Sequence, residues 1–155
     1  MNIITPYDCA EDIKKHIGKV KDLLQRVRSN LYMRGLAHDA SKLQSPEKEA
    51  YDIMTPMLGS LEYGSQEYFN ALEEFKPIIQ HHHQNNSHHP EHYPSGINGM
   101  SLLDLIEMLA DWKVASSQTK DGNMENSIEV GVKRFGIDEQ LASILRATVK
   151  EMKWE

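Results

Sequence analysis

Cysteine is nearly absent from the 155-residue chain, which contains only Cys9. A single cysteine cannot form an internal disulfide, and the count gives no sign of an oxidising compartment. No apolar run approaches the roughly 20 residues that span a bilayer, and the N-terminal segment lacks the basic region and apolar core of a signal peptide. We therefore expect a cytoplasmic protein without a membrane partner.

Positive charge and glycine-rich phosphate loops are also scarce. The chain has 17 Lys and Arg against 23 Asp and Glu, which gives a formal net charge of -6. This balance argues against a long nucleic acid as partner, because a phosphate backbone attracts basic surfaces. A single nucleotide remains compatible with it, since a bound metal would dominate the local field. Neither a GxGxxG nor a Walker motif is found.

Helical periodicity runs along most of the chain, and no stretch alternates cleanly between apolar and polar residues. Ser101 and Asp104 match a capping box, and Pro77 is expected to kink or break its helix. The predicted helices cover residues 8–30, 45–59, 66–85, 101–116, 125–135 and 138–152, with a short helical piece after Gly35. The predicted fold class is all-α, a compact bundle of about six helices in one domain over residues 1–155.

Histidine is the enriched residue type, and six of the eight histidines lie within residues 81–92. His82 and Asn86 are four residues apart, so they share one face of a helix. Such a tract can be solvated surface with weak adventitious metal binding, but we expect some of its histidines to face a metal and a substrate. The loop that follows the helix contributes His88, His89, Glu91 and His92.

His38 and Asp39 offer the imidazole nitrogen and carboxylate oxygen that suit a first-row divalent cation. Adjacent residues can ligate together only where the backbone bends, which the nearby Gly35 allows. His16 lies beside Ile17 on the apolar side of the first helix, where a lone histidine is more often a core residue with one hydrogen bond. Other candidate ligands downstream favour its assignment as a ligand.

Three carboxylates at spacings of three and four share one face of the helix that follows Ser101. A solvated face tolerates such a stripe, but apolar neighbours suggest that part of it borders the core, where carboxylates need a cation. We expect Asp111 to ligate a metal and Glu107 to support the ligands. The stripe consists of Asp104, Glu107 and Asp111.

Taken together, these residues resemble the HD-domain superfamily of metal-dependent phosphohydrolases. Its signature is a histidine on an early helix, then a His-Asp pair, then a distal aspartate. The chain looks closer still to a bacterial and phage branch with HDxSK, HxxxNxHHPE and EMxxDW motifs, present here as HDASK, HHQNNSHHPE and EMLADW. The resemblance covers His16 to Trp112 and is specific for the fold and metal site, whereas one fold hosts many substrates.

The resemblance implies a metal-dependent phosphohydrolase that uses metal-activated water on a small phosphorylated substrate, with a nucleotide expected. The implied cofactor is one or two divalent ions of manganese, cobalt, nickel, iron, magnesium or zinc. The primary metal ligands would be His16, His38, Asp39 and Asp111. A second metal site would use His82, His88 and His89. The catalytic candidates are Lys42, His82, His88 and Glu107. The substrate-binding candidates are Lys42, Asn86, His89 and Glu91.

Three other interpretations stay open. One is an HD-like oxygenase with two iron ions bridged by a carboxylate, for which Asp39 is the candidate. Another is a catalytically silent metal-binding module, which would have a closed coordination sphere without water. The third is a helical interaction bundle without metal. Superfamily members often dimerise, so the resemblance also allows a homodimer.

Overall fold

The structure, a computed structural model, describes residues 7–62, 65–118 and 122–155. This described part contains seven α-helices and no strand, so the all-α prediction is confirmed, with one helix more than the six expected. None of its helices combines the length and apolar character that crossing a membrane requires. The chain divides into two compact units, Met1–Ala37 and His38–Glu155. That it forms one HD-like domain stays a prediction.

The first unit contains one long helix, α1 (Ala10–Ala37). Its first turn is capped by Asp8, whose carboxylate accepts a hydrogen bond from the Ala10 amide at 3.0 Å. The sequence predicted an end near Asn30 and a break at Gly35, and both predictions are wrong. A single glycine costs a helix only about 1 kcal/mol relative to alanine, and its neighbours here include good helix formers such as leucine and arginine.

The second unit begins with a sharp bend that takes the place of the helical piece predicted there. Asp39 has φ 56° and ψ 13°, in the left-handed region, and a 3-10 turn follows at Ala40–Leu43. Aspartate enters this region more readily than most residues, yet such conformations still cost on the order of 1–3 kcal/mol and cluster at functional sites. The bend therefore lies at the candidate ligand itself, and not at Gly35.

Most other helix boundaries follow local signals. Ser101 and Asp104 form the predicted capping box, and Gly136 ends a helix with φ 64°. The predicted helix over 66–85 is two helices, because Pro77 lies in the first turn of the second one, where its missing N–H costs no helical hydrogen bond. The helices of the second unit are α2 (Glu47–Gly59), α3 (Gln66–Glu74), α4 (Lys76–Asn85), α5 (Leu102–Ser117), α6 (Met124–Phe135) and α7 (Glu139–Met152).

The core of the second unit lies among α5, α6 and α7, where Met108, Leu109 and Ile128 are each 1% exposed. At the other side of this unit, α2 packs against α4 and against the 3-10 turn at Ala40–Leu43. These contacts bring the His-Asp pair at the start of the unit next to the histidine-rich end of α4. A polar site can form there because the apolar core lies elsewhere in the unit.

Candidate metal centre

Four potential ligand atoms converge where the bend at Asp39 meets α4 and its following loop. The side chains are those of Asp39, His82, His88 and His89, and one ligand atom of each lies within 4.8 Å of the others. His82 Nε2 is 3.0 Å from His89 Nε2 and 3.2 Å from Asp39 Oδ1. Ligands about 2.1 Å from one cation are separated by roughly 3.0–3.4 Å, so these spacings fit a shared ion.

Two atoms of this set are buried without a hydrogen-bond partner. They are Asp39 Oδ1 and His88 Nε2, which lie 3.5 Å apart. Leaving a buried polar atom unpaired costs about 1–3 kcal/mol, and more for a charged group. A cation between them would satisfy both atoms, so the residues present fit a bound divalent metal.

A second group of ligand atoms shares His88 with the first. It consists of His38, His88 and Asp111. His38 Nε2 lies 3.6 Å from Asp111 Oδ1 and 3.8 Å from Asp39 Oδ2. The structure thus brings Asp111 on α5 close to the His-Asp pair, together with the histidines of the α4 segment.

The carboxylate of Glu107 orients two of these histidines. Its Oε1 lies 3.0 Å from His38 Nδ1 and 3.3 Å from His88 Nδ1. A carboxylate only accepts hydrogen bonds, so the His38 Nδ1 that bonds to it carries a hydrogen, and a neutral His38 offers its Nε2 to a metal. Glu107 lies one turn before Asp111 on α5, and its role in supporting the ligands stays a prediction.

A second buried carboxylate, Glu47, contacts the Nδ1 atoms of two neighbouring histidines, His81 and His82. The sequence analysis did not identify it. Its side chain is fully buried, and its oxygens lie 2.8 Å from His81 Nδ1 and 2.9 Å from His82 Nδ1. Ser41 Oγ donates to it at 2.8 Å. Glu47 stands in the first turn of α2, where an acidic residue normally favours the helix dipole, so no local signal marks it.

Asn86 completes this network. Its amide donates to Ser41 Oγ and to the His82 carbonyl, both at 2.8 Å. These bonds tie the end of α4 to the 3-10 turn beside His82, whose side chain is only 2% exposed and whose ring is held by Glu47. Among the three consecutive histidines 81–83, the buried one is thus His82, the member that the sequence favoured. A role for Asn86 in substrate binding stays a prediction.

Neighbouring charges and burial shift the pKa values of the candidate ligands. Asp39, His88 and His89 are shifted towards their metal-binding forms. Burial would raise the pKa of Asp39, but the ammonium of Lys42, which donates to Oδ2, helps to hold this pKa below its usual range. Burial is the largest cause that lowers the pKa of His88, and it lowers that of His89 to about 2. An ionised carboxylate and two neutral imidazoles are the forms that bind a metal.

The pKa of His38 shifts in the opposite direction from those of His88 and His89. The carboxylate of Asp111, assisted by that of Glu107, stabilises the charged ring and raises the pKa of His38 to about 9, although burial opposes the shift. In the metal-free protein, a protonated His38 therefore supplies part of the positive charge that these carboxylates need.

Lys42 lies beside the ligands. Its ammonium donates to Asp39 Oδ2 at 2.6 Å and lies 5.1 Å from the centre of the Tyr51 ring. The 3-10 turn makes this contact, because it brings a side chain three residues further along the chain back to Asp39. A positive charge at this position can neutralise an anionic substrate next to the metal site.

Two other predicted residues have different surroundings. Glu91 accepts a hydrogen bond from Arg134 at 2.6 Å and belongs to a third potential ligand group, His83, His89 and Glu91. His16 has an exposed side chain on α1, in the first unit. Its role as a metal ligand stays a prediction.

One comparison with known proteins gives a match. A family model described as a family of unknown function, DUF5662, matches residues 5–151. The chain belongs to the DUF5662 family. No curated protein and no solved structure matches it. The DUF5662 match spans the bend at Asp39, α4 with its loop, and α5, so the whole candidate centre lies within the family region.

Proposed function

We propose that this DUF5662 protein is a metal-dependent phosphohydrolase, related to the HD-domain superfamily, which acts on a small phosphorylated substrate such as a nucleotide. The observation that carries the proposal is the convergence of Asp39, His82, His88 and His89 with two orphaned buried atoms at its centre. A lysine and an accessible cavity adjoin this set. A binding module would need only the ligands, whereas a hydrolase also needs a place for substrate.

Different side chains would perform different parts of the hydrolysis. The converging side chains would hold one or two ions of manganese, cobalt, nickel, iron, magnesium or zinc. A bound ion supplies Lewis-acid polarisation of the phosphoryl oxygen and lowers the pKa of a water molecule. Lys42 neutralises charge on the phosphoryl oxygens, and Glu47 and Glu107 hold the imidazoles in the tautomer that leaves Nε2 free.

The two-iron oxygenase is less well supported by the geometry. A carboxylate that bridges two metals commonly places one metal on each of its oxygens. Here Asp39 turns Oδ1 towards His82 and His88, while Oδ2 accepts a hydrogen bond from Lys42 at 2.6 Å. A second metal at this oxygen would have to share it with the positively charged ammonium of Lys42. Phosphoryl transfer uses such a lysine directly, so we favour hydrolysis.

The experiment measures phosphate release from a panel of nucleotides and simple phosphate esters with manganese, cobalt and magnesium. Protein prepared without a nickel column is first analysed for bound metal. We expect turnover by the wild type, a loss of at least about hundredfold in Asp39→Asn with helix content unchanged by circular dichroism, and no change in Asp52→Asn, an exposed aspartate on α2. No bound or bindable metal, or equal rates for wild type and Asp39→Asn, would refute the proposal.

Three further expectations accompany this proposal. They are a cytoplasmic location, the absence of a long nucleic-acid partner, and a homodimer. Cell fractionation addresses the first directly, and sedimentation addresses the third. The net charge of -6 is the basis of the second.

A further inference from the structure

A cavity of about 700 Å³ opens beside the candidate metal centre, between α5 and α6. Its wall includes His89 and Asp111, which belong to the two main ligand groups. A molecule in the cavity can therefore reach the metal ligands without a change in the fold. The volume lies within the range of roughly 300–1,000 Å³ that is typical of pockets for small organic ligands.

Part of the cavity wall on α5 and α6 is apolar. Trp112 and Phe135 lie nearly parallel there, with their ring centres 6.3 Å apart and an angle of 13° between the planes. Gly131 on α6 allows this arrangement, since a Cβ at that position would lie 2.3 Å from the Trp112 ring. Ala115 and Val130 extend the same apolar wall. Such walls favour flat, apolar ligand surfaces.

The polar groups of the cavity are mostly uncharged or paired with one another. Asn126 and Ser127 on α6 contribute an amide and a hydroxyl to its lining. Arg134 is bonded to Glu91 at 2.6 Å, and its guanidinium lies 4.9 Å from the centre of the Phe135 ring. The charges of Arg134 and Glu91 thus compensate each other. The wall on α5 and α6 therefore suits an uncharged ring with polar edges better than a charged ligand group.

We infer that this cavity binds the organic part of the substrate, an uncharged planar ring system attached to the phosphate that the metal centre holds. The inference rests on the proposed phosphohydrolase function, because it is the phosphate that anchors the ligand at His89 and Asp111. If the cavity binds this ring, the wall formed by α5 and α6 determines which substrates the protein selects. A phosphate ester of a short aliphatic alcohol is too small to reach that wall and gains nothing from it.

The test compares two non-hydrolysable probes, 1-naphthylphosphonate and methylphosphonate, by calorimetry on metal-loaded protein. We expect the naphthyl probe to bind at least about tenfold more tightly to the wild type, because it buries an additional apolar ring. Ala115→Trp fills the cavity from α5 and should reduce this advantage to less than about threefold while leaving methylphosphonate affinity unchanged. Val130→Trp fills it from α6 and serves if the first variant does not fold. Val114→Trp, exposed on α5 and outside the cavity lining, is the matched control.

Each outcome decides the inference. Equal affinity of the two probes in the wild type, failure of both probes to bind, or a naphthyl advantage that survives Ala115→Trp and Val130→Trp would overturn it. Phosphate release from 1-naphthyl phosphate is measured in parallel. Tight naphthyl binding that is lost in the filled variants, but without any phosphate release, would contradict the phosphohydrolase proposal and leave the ring-binding cavity in place.

Discussion

We expect His38 to release a proton when a metal binds. Measuring this release tests the assignment of His38 as a ligand. In the metal-free protein its Nδ1 lies 3.0 Å from Glu107 and its Nε2 lies 3.6 Å from Asp111. These carboxylates raise the pKa of His38 to about 9. A ring nitrogen ligates a cation only after it has lost its proton, so metal binding at neutral pH must displace that proton.

The expected magnitude follows from the shifted pKa values. At about pH 7, His38 is more than roughly 90% protonated, because its pKa of about 9 lies well above this pH. The pKa values of His88, His89 and Asp39 are all lowered, so these residues are already in their metal-binding forms. We therefore expect His38 to release about one proton per ion. Because the proton competes with the metal below the raised pKa, affinity should rise about tenfold per pH unit from about pH 7 and flatten above about pH 9.

Calorimetry in buffers with different ionisation enthalpies counts the protons released. His38→Gln should remove about one proton from the count and weaken metal binding. His92→Gln, at an exposed position outside the ligand groups, is the matched control and should change neither quantity. Metal affinity that does not depend on pH, or an equal proton count in wild type and His38→Gln, would refute the assignment of His38.

Three further variants test other parts of the site. Glu47→Gln removes the charge that holds two imidazoles and should lower metal affinity about 10- to 100-fold by calorimetry, while Glu49→Gln, exposed on the same helix, should not. Lys42→Met should keep metal affinity within about threefold and lower phosphate release about hundredfold; an unchanged rate would contradict its role. Gly131→Ala places a Cβ 2.3 Å from a tryptophan ring and should cost about 1–3 kcal/mol in urea unfolding. The control is Gly59→Ala, whose Cβ would meet no atom of the described residues within 4 Å outside its own helix backbone. It should shift stability by less than about 1 kcal/mol, and equal effects would count against the packing argument.

Helix boundaries that depend on neighbouring backbone atoms could be predicted from the sequence. The capping box of Ser101 and Asp104 and the left-handed Gly136 both act within one helical turn, so their signals are local. The prediction failed at Gly35, where the cost of one glycine was overestimated and α1 continues to Ala37. A rule based on one residue, such as glycine as a helix breaker, therefore fails where the helix preferences of several neighbours outweigh it.

Residue types by themselves limit the chemistry that the site can perform. Imidazoles and carboxylates in the HDASK and HHQNNSHHPE segments are metal donors wherever they lie, so a metal could be predicted from them. The sequence could not show that Glu47 is fully buried, because an acidic residue in the first turn of a helix is usually exposed. The aromatic wall at Trp112 was equally hidden, since it needs Gly131 on another helix.

The sequence by itself determined the helices and the donor atoms, because both depend on the identity of one residue and its near neighbours. Only the tertiary structure decided which donors meet: His38 and Glu107 are 69 residues apart in the chain, yet their side chains lie 3.0 Å apart. Such a distance results from the packing of whole helices, and a small rotation of α5 would turn Glu107 away from His38.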